Sequence, residues 1–250
     1  MGSTLRRLGP IGQPLEVPAA YEGLELGSRA PRSRPYVVAN MVAALDGRAT
    51  VRGRSSGLSS AEDQVLFGTL RSQVDAVMVG TATLRIERYG PLVRAPEARA
   101  RRRQAGLSER PPCVILSRTL ELPLEIPLFQ DAGSDVVVIT PSTRELAPCP
   151  ARVEVIRLAV SDFGPAAALR RLREQRQLRS VLCEGGPRLL GTLIADDVLD
   201  ELFLTLSPLL VGGSGPTIVT AAELSGGRRL ELVSALHHEA GLFLRYRVLR

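Results

Sequence analysis

Apolar residues fall along this chain in short unbroken runs separated by polar, glycine-containing or helically spaced stretches. Residues 34–44 form the first run and residues 75–80 the second. Others occupy 113–117, 135–140, 153–156 and 180–183. Runs of four to eight apolar residues bounded by turn signals are what strands covered on both faces look like. Between the first two lies a helix signal. Ser59 and Glu62 make a capping-box pattern, and the helix that follows would turn Val65, Leu66, Leu70 and Val74 inward, with Arg71 one step off that face. Ala167, Ala168, Leu169 and Leu172, set among arginines and glutamates, predict a second helix over 164–177.

The C-terminal third changes character. Residues 197–208 read as a strand stopped by Pro208, and residues 211–215 as a glycine-rich loop. Residues 230–236 and 242–249 then read as an antiparallel pair. In the last strand Leu242, Leu244, Tyr246 and Val248 are expected on one face, with Phe243, Arg245, Arg247 and Leu249 on the other, wet face. Strands alternating with helices, closed by a hairpin, predict one α/β domain with a mostly parallel central sheet flanked by helices. That domain is expected over 34–250. Residues 1–33, rich in Gly, Pro and Arg without periodicity, are expected to be an irregular lead-in. Residues 85–111 carry eight arginines and few apolar residues, which predicts a solvated surface segment.

Composition narrows the function classes. The 250 residues are 44% hydrophobic and 23% charged, as in an ordinary globular protein. The net charge is +6 and every one of the 32 basic residues is arginine. That favours an acidic, phosphorylated small ligand. Aromatics are only 4% and no paired aromatic motif that stacks bases is present, so nucleic acid is not expected. Cys113, Cys149 and Cys183 are far apart and form no disulfide framework, which predicts a reducing cytoplasm. His237 and His238 are the two histidines, too few for an ordinary zinc site, so no metal is expected. No signal-peptide pattern and no apolar run of membrane length appears.

Three strand ends carry candidate chemistry: 44–47, 80–83 and 184–186. Each places a polar or glycine-rich element after an apolar run, where open α/β sheets bind ligands. At the third, a strand ends in Glu184, breaks at Gly185 and Gly186 and restarts as a helix at Pro187. Free N–H groups there could cradle a phosphate; the same junction could also be a plain tight turn. Glu184 itself sits at the rim of a core, where an unpaired carboxylate is costly and a functional partner is expected. The GxGxxG, Walker and GxSxG motifs are all absent. Asp46 could be only a turn former, Arg71 a helix-end charge, and Thr81 and Thr83 helix caps.

The order Leu45-Asp46-Gly47, Ser56, Leu70-Arg71, the strand 75–80, Thr83, Glu184-Gly185-Gly186, Asp200-Glu201, Pro208 and Gly212-Gly213 resembles the pyrimidine reductase domain of riboflavin biosynthesis. The resemblance spans residues 34–249. It implies a dihydrofolate reductase-like fold and NADPH-dependent reduction of a ribosylamino-pyrimidine 5′-phosphate to the ribitylamino product. It further implies cofactor contacts at Val42, Leu58, Thr83 and Glu87. Ser117 and Arg118 would lie near the adenosine phosphate, and Gly185, Gly186, Pro187, Arg188, Leu189 and Leu190 would form the pyrophosphate cradle. Ser56, Arg71, Arg94 and Glu184 resemble the substrate-binding set, with two arginines suited to a phosphate monoester. Asp46 and Glu184 are the expected catalytic groups, Asp46 assisting proton transfer. The family implies a homodimer. Two positions depart from its usual pattern: Ala44 stands where serine is common, and Leu58 where an aromatic residue is common. The zinc-binding deaminase domain that precedes many members is expected to be absent.

Rival expectations are a reductase of the same fold acting on another substrate such as dihydrofolate, and a non-catalytic nucleotide-binding protein. A nucleic-acid binder, which would show strongly salt-dependent binding, comes third.

Overall fold

The computed structural model describes residues 4–7, 14–222, 224 and 226–250. Among them eleven strands form the sheet: β1 (Thr4–Arg7), β2 (Leu15–Glu16), β3 (Tyr36–Ala44), β4 (Ala76–Gly80), β5 (Cys113–Leu116), β6 (Asp135–Thr140), β7 (Arg152–Arg157), β8 (Ser180–Cys183), β9 (Glu201–Ser207), β10 (Leu230–His238) and β11 (Gly241–Val248). The helices are α1 (Ala61–Arg71), α2 (Thr81–Glu87), α3 (Pro96–Gln104), α4 (Pro127–Gln130), α5 (Pro165–Arg176) and α6 (Pro187–Ala195). The strand order is β2-β1-β10-β11-β9-β3-β8-β4-β5-β6-β7. From β9 to β7 all neighbours are parallel, and β11, β10, β1 and β2 add on antiparallel at the other side. The expected mostly parallel sheet and closing hairpin are therefore both present. No helix of the described residues is long and apolar enough to cross a membrane.

The unbroken apolar runs follow from two core layers. Val136 and Val138 of β6 point into one, Val137 and Ile139 into the other. Leu66 and Leu70 of α1 cover the first layer; Ala168, Leu169 and Leu172 of α5 and Leu190 and Leu193 of α6 cover the second. With both faces dry, no polar alternation survives.

Four expectations are corrected. The lead-in is not irregular throughout: β1 pairs with β10, and 3-10 turns at Pro18–Tyr21 and Leu26–Arg29 carry Tyr21 and Leu26 into the first core layer. Tyr21 meets Phe203 edge-on at 4.9 Å. Such scattered anchors have no periodicity to detect. Residues 1–3 and 8–13 of that lead-in lie outside the described residues. The cap of α1 is Ser60, whose side chain accepts from the Asp63 N–H, and Val65 is exposed while Leu66, Leu70 and Val74 are buried. The arginine-rich 85–111 segment contains α3, and Arg102 within it is wholly buried. Last, β11 has no single wet face: Val248 is buried and Arg247 and Leu249 exposed as expected, but Phe243 and Arg245 are buried as well. Arg245 goes inside because its Nε donates to Glu201 Oε2 at 2.7 Å, and Glu201 is itself fully buried.

Candidate active site

A cavity of about 1680 Å³ opens along the C-terminal ends of β3, β4, β5 and β8. That is the ligand edge of an open α/β sheet. Single small-molecule pockets run to roughly 300–1,000 Å³, so this one has room for two ligands.

One side is built by α1 and the end of β8. Asp63, Phe67 and Arg71 recur every fourth residue, and all three line the cavity, as one stripe of a helix must. Arg71 forks onto Glu184: Nε donates to Oε1 at 2.6 Å and Nη2 to Oε2 at 2.7 Å. The Tyr89 hydroxyl donates to the same Oε2 at 2.8 Å. Nη1 of Arg71 reaches the Leu92 carbonyl at 3.2 Å, and the guanidinium lies 4.2 Å over the Phe67 ring, a favourable cation–π placement. Burial, then the Glu184 charge, push the Tyr89 phenol well above its ordinary pKa. Tyr89 thus stays a proton-bearing donor. Asp63 is different. It is buried, its Oδ1 accepts from Thr205 Oγ1 at 2.5 Å, and no cation pairs with it among the described residues. Desolvation raises its pKa against the lowering hydrogen bonds from Thr205 and Ser59.

The other side is the glycine junction. The Gly80 N–H donates to the Gly185 carbonyl at 2.8 Å. A Cβ on Gly186 would come within 2.7 Å of Thr83 Oγ1, and one on Gly80 within 3.2 Å of the Gly186 nitrogen. Only glycines let the ends of β4 and β8 approach this closely. Gly186 caps α6 with no side-chain hydrogen bond, and Pro187 opens the helix. The first-turn N–H groups have no side-chain cap and the positive end of the helix dipole adjoins the cavity. Farther along, Arg118 stacks over Phe163 at 4.9 Å, and the Ser117 hydroxyl accepts from the Leu120 N–H at 3.1 Å. Glu87 accepts from both the N–H and the hydroxyl of Ser55, each at 2.9 Å. This ties α2 to the loop bearing Ser56.

The structure brings most of the sequence candidates to this one cavity. Val42, Ser56, Arg71, Thr83, Glu87 and Arg94 line it, as do Ser117, Arg118, Glu184, Gly186, Pro187, Arg188 and Leu189. Four do not. Leu58 is buried beneath the loop, Leu190 belongs to the second core layer, and Gly185 lies behind the wall. Asp46 is exposed outside it. One oxygen accepts from the Val211 N–H at 2.9 Å and from the Gly212 N–H, and the other from the Arg48 N–H at 3.3 Å. These contacts, the Gly212 bond foremost, lower its pKa. Asp46 pins the 211–216 loop, which leaves it no atom at the cavity. Arg71 also differs from expectation: its fork is occupied by Glu184, so Arg94, with no carboxylate at ion-pair distance among the described residues, is the arginine of that pair open to a phosphate. Among the described residues no group of three or more His, Cys, Asp or Glu could hold a metal.

Sequence reading missed Asp63, Phe67 and Tyr89. The first two were detectable. They precede Arg71 by eight and four residues, so any helix presenting Arg71 to a ligand presents them as well. Tyr89 carries no such signal, because it lies just past α2 in an irregular segment.

Residues 35–244 match the RibD C-terminal domain family, and the chain belongs to it. It is 28% identical over 210 residues to the 2,5-diamino-6-ribosylamino-4(3H)-pyrimidinone 5′-phosphate reductase of Archaeoglobus fulgidus, covering 81% of this chain and 94% of that protein. It is 32% identical over 196 residues to the riboflavin biosynthesis protein RibD of Synechocystis, where the match covers 76% of this chain and only 50% of the relative. The crystal structure of a pyrimidine reductase-like protein from Corynebacterium diphtheriae superposes with a TM-score of 0.76 at 23% identity, covering 94% of this chain and all of that one. The two share a fold.

Proposed function

We propose that this chain is an NADPH-dependent reductase that converts a ribosylamino-pyrimidine 5′-phosphate into its ribitylamino product. The observation that carries the reading is one cavity with two unlike walls: a glycine junction and helix start on one side, a buried Arg71–Glu184–Tyr89 cluster on the other. The names borne by the Archaeoglobus and Synechocystis relatives support the substrate class.

The residues present fit the cofactor. Gly80 and Gly186 keep side chains out of the approach to the α6 N-terminus, where backbone N–H groups suit a pyrophosphate. Arg118 beside Ser117 offers a guanidinium for a further phosphate. When bound, NADPH supplies the hydride that reduces the C=N of the ring-opened substrate. The chain's own residues do the rest. Arg71 and Tyr89 fix the Glu184 carboxylate, whose remaining acceptor capacity faces the N–H groups of the pyrimidine. Arg94 binds the substrate phosphate by charge-assisted hydrogen bonds. Asp63, whose pKa burial raises, is the buried carboxyl in the wall that pairs with no cation among the described residues, and together with the Tyr89 phenol it is the group assigned to carry a proton. The same reading includes a homodimer and a cytoplasmic location, and the free thiols of Cys113 and Cys183 support the second of these.

NADPH oxidation measured side by side with the ribosylamino-pyrimidine 5′-phosphate and with dihydrofolate tests this. Turnover is expected with the first only. Turnover with neither, while NADPH still binds, removes the reductase reading, and turnover with dihydrofolate alone changes its substrate.

A further inference from the structure

The arginine-rich α3 helix holds one residue unlike its neighbours. Arg103 reaches solvent and pairs with Glu109 at 2.8 Å. Arg102 is fully buried, and no carboxylate pairs with it among the described residues. Two of its three nitrogens are spent on carbonyls, and the third, Nη2, is buried without a hydrogen-bond partner among the described residues. Nη1 donates to Arg71 O at 2.7 Å and Val74 O at 2.8 Å, and Nε donates to Ser108 O at 2.7 Å. Burying a cation without an anion is costly, and it pulls this guanidinium down to about 10, with Asp75 opposing. It remains charged at neutral pH.

What the cation gains is the negative end of the α1 dipole and a carbonyl of its last turn. That carbonyl belongs to Arg71, the residue that grips Glu184. A second link runs in parallel. Arg99, also on α3, donates to the Val93 carbonyl at 3.0 Å, and the adjacent Leu92 carbonyl accepts from Arg71. One helix therefore fixes both the backbone of Arg71 and the segment its side chain rests on. A bidentate Arg–carboxylate contact is sensitive to such anchoring, because both hydrogen bonds need one guanidinium orientation. A lysine cannot reproduce the clamp: a single ammonium cannot span three carbonyls served by Nε and Nη1 together.

We propose that Arg102 is a positioning residue for the cavity: by holding the Arg71 carbonyl it sets the Arg71–Glu184 geometry and, through it, affinity for the phosphorylated pyrimidine. The identity of that ligand rests on the function proposed above; the positioning does not.

The test compares Arg102→Lys in the parent and in an Arg71→Met background. In the parent, KM for the pyrimidine phosphate should rise about tenfold, the size of a typical coupling between contacting groups. The kcat and the NADPH Kd should stay put. In the Arg71→Met background the same change should leave KM unaltered. An unchanged KM in the parent, an equal rise in both backgrounds, or a matching loss of NADPH affinity overturns the proposal, since a general loosening of the fold predicts the last two. If Arg102→Lys does not fold, Arg102→Gln, which can still serve one carbonyl, is read in the same way. A substrate-free readout separates the two ideas. The Arg71 Nε–H resonance, assigned by its absence in Arg71→Lys, should move in Arg102→Lys. Movement without any pyrimidine turnover by the parent retains the positioning and removes the substrate reading; a resonance that stays in place overturns the positioning.

Discussion

Two buried glutamates in this molecule have nearly the same surroundings and opposite locations. Glu184 takes the fork of Arg71 and the hydroxyl of Tyr89. Glu201 takes Nε of Arg245 at 2.7 Å, Nη1 of Arg29 at 2.9 Å and the hydroxyl of Tyr36 at 2.9 Å. Each is a carboxylate satisfied by arginine and tyrosine, as burial demands. Glu184 follows the last residue of β8, at the C-terminal edge of the parallel strands, and lines the large cavity. Glu201 is the first residue of β9, at the opposite edge, where it joins the lead-in, β3 and β11. Chemistry alone does not separate the two clusters. Their place along the strands does, because ligands collect at the carboxyl ends of such sheets.

Substituting each glutamate by its amide separates the two roles. Glu201→Gln leaves the buried Arg245 guanidinium without its anion, which should cost about 3 kcal/mol or more. Thermal unfolding should register this as a fall in Tm of roughly 6 °C or more, while turnover by the remaining folded protein is unchanged. Glu184→Gln weakens charge-assisted bonds of the kind that contribute about 1.5–3 kcal/mol each. Its kcat/KM should fall by up to about 100-fold, with the smaller loss of Tm. The comparison breaks if the effects are exchanged, with Glu201→Gln inactive at full stability.

Asp63 sharpens the same contrast, since it is a buried carboxyl in the cavity wall with no cation. Its pKa is raised in the folded protein, chiefly by desolvation, so folding favours its protonated form. The stability it contributes is fully present below the unfolded carboxyl pKa of about 3.9, and is lost as pH rises through the folded value. Asp63→Asn removes that loss. The variant should match the parent in Tm under acid conditions and exceed it near neutrality. Its kcat should fall about tenfold, less than the full contribution of a positioned acid, because the amide still hydrogen-bonds. Equal Tm differences at both pH values contradict the protonation argument.

Much of this was legible in the residues. The runs at 75–80, 135–140 and 180–183 gave strands because two dry faces leave no polar positions, and Glu184 after such a run could only be paired or functional. Reading failed where a polar residue was buried by a distant partner. Arg245 alternates like a solvent-facing residue, and only Glu201, 44 residues away, brings it inside. Arg102 sits in what looks like a solvated basic segment, and the carbonyls of Arg71, Val74 and Ser108 explain its burial. Leu58 failed in the other direction, since the loop that carries it turns its side chain inward, away from the cavity. Local pattern records periodicity; it does not record which far segment supplies a hydrogen bond.

Asp46 gives the smallest expected effect and the cleanest separation of turn from site. As a catalytic group it would have to reach the cavity, but its carboxylate is exposed and turned to the Val211, Gly212 and Arg48 N–H groups. Those bonds favour the charged form and lower its pKa, so the tie holds above the unfolded carboxyl value and loosens only as pH falls through the lowered one. Asp46→Asn removes the charge but keeps an acceptor oxygen. Arg48 meanwhile still donates to the Gly215 carbonyl at 2.5 Å, and the Ala49 N–H to that of Pro216 at 2.8 Å. The loop carrying the wall residues Ser214 and Pro216 therefore keeps its other anchors. Single-turnover reduction should change by less than about threefold, the range of an exposed contact. A loss approaching that of Glu184→Gln would mean that the 44–50 turn closes onto the cavity when ligands bind, and would return Asp46 to the reacting centre.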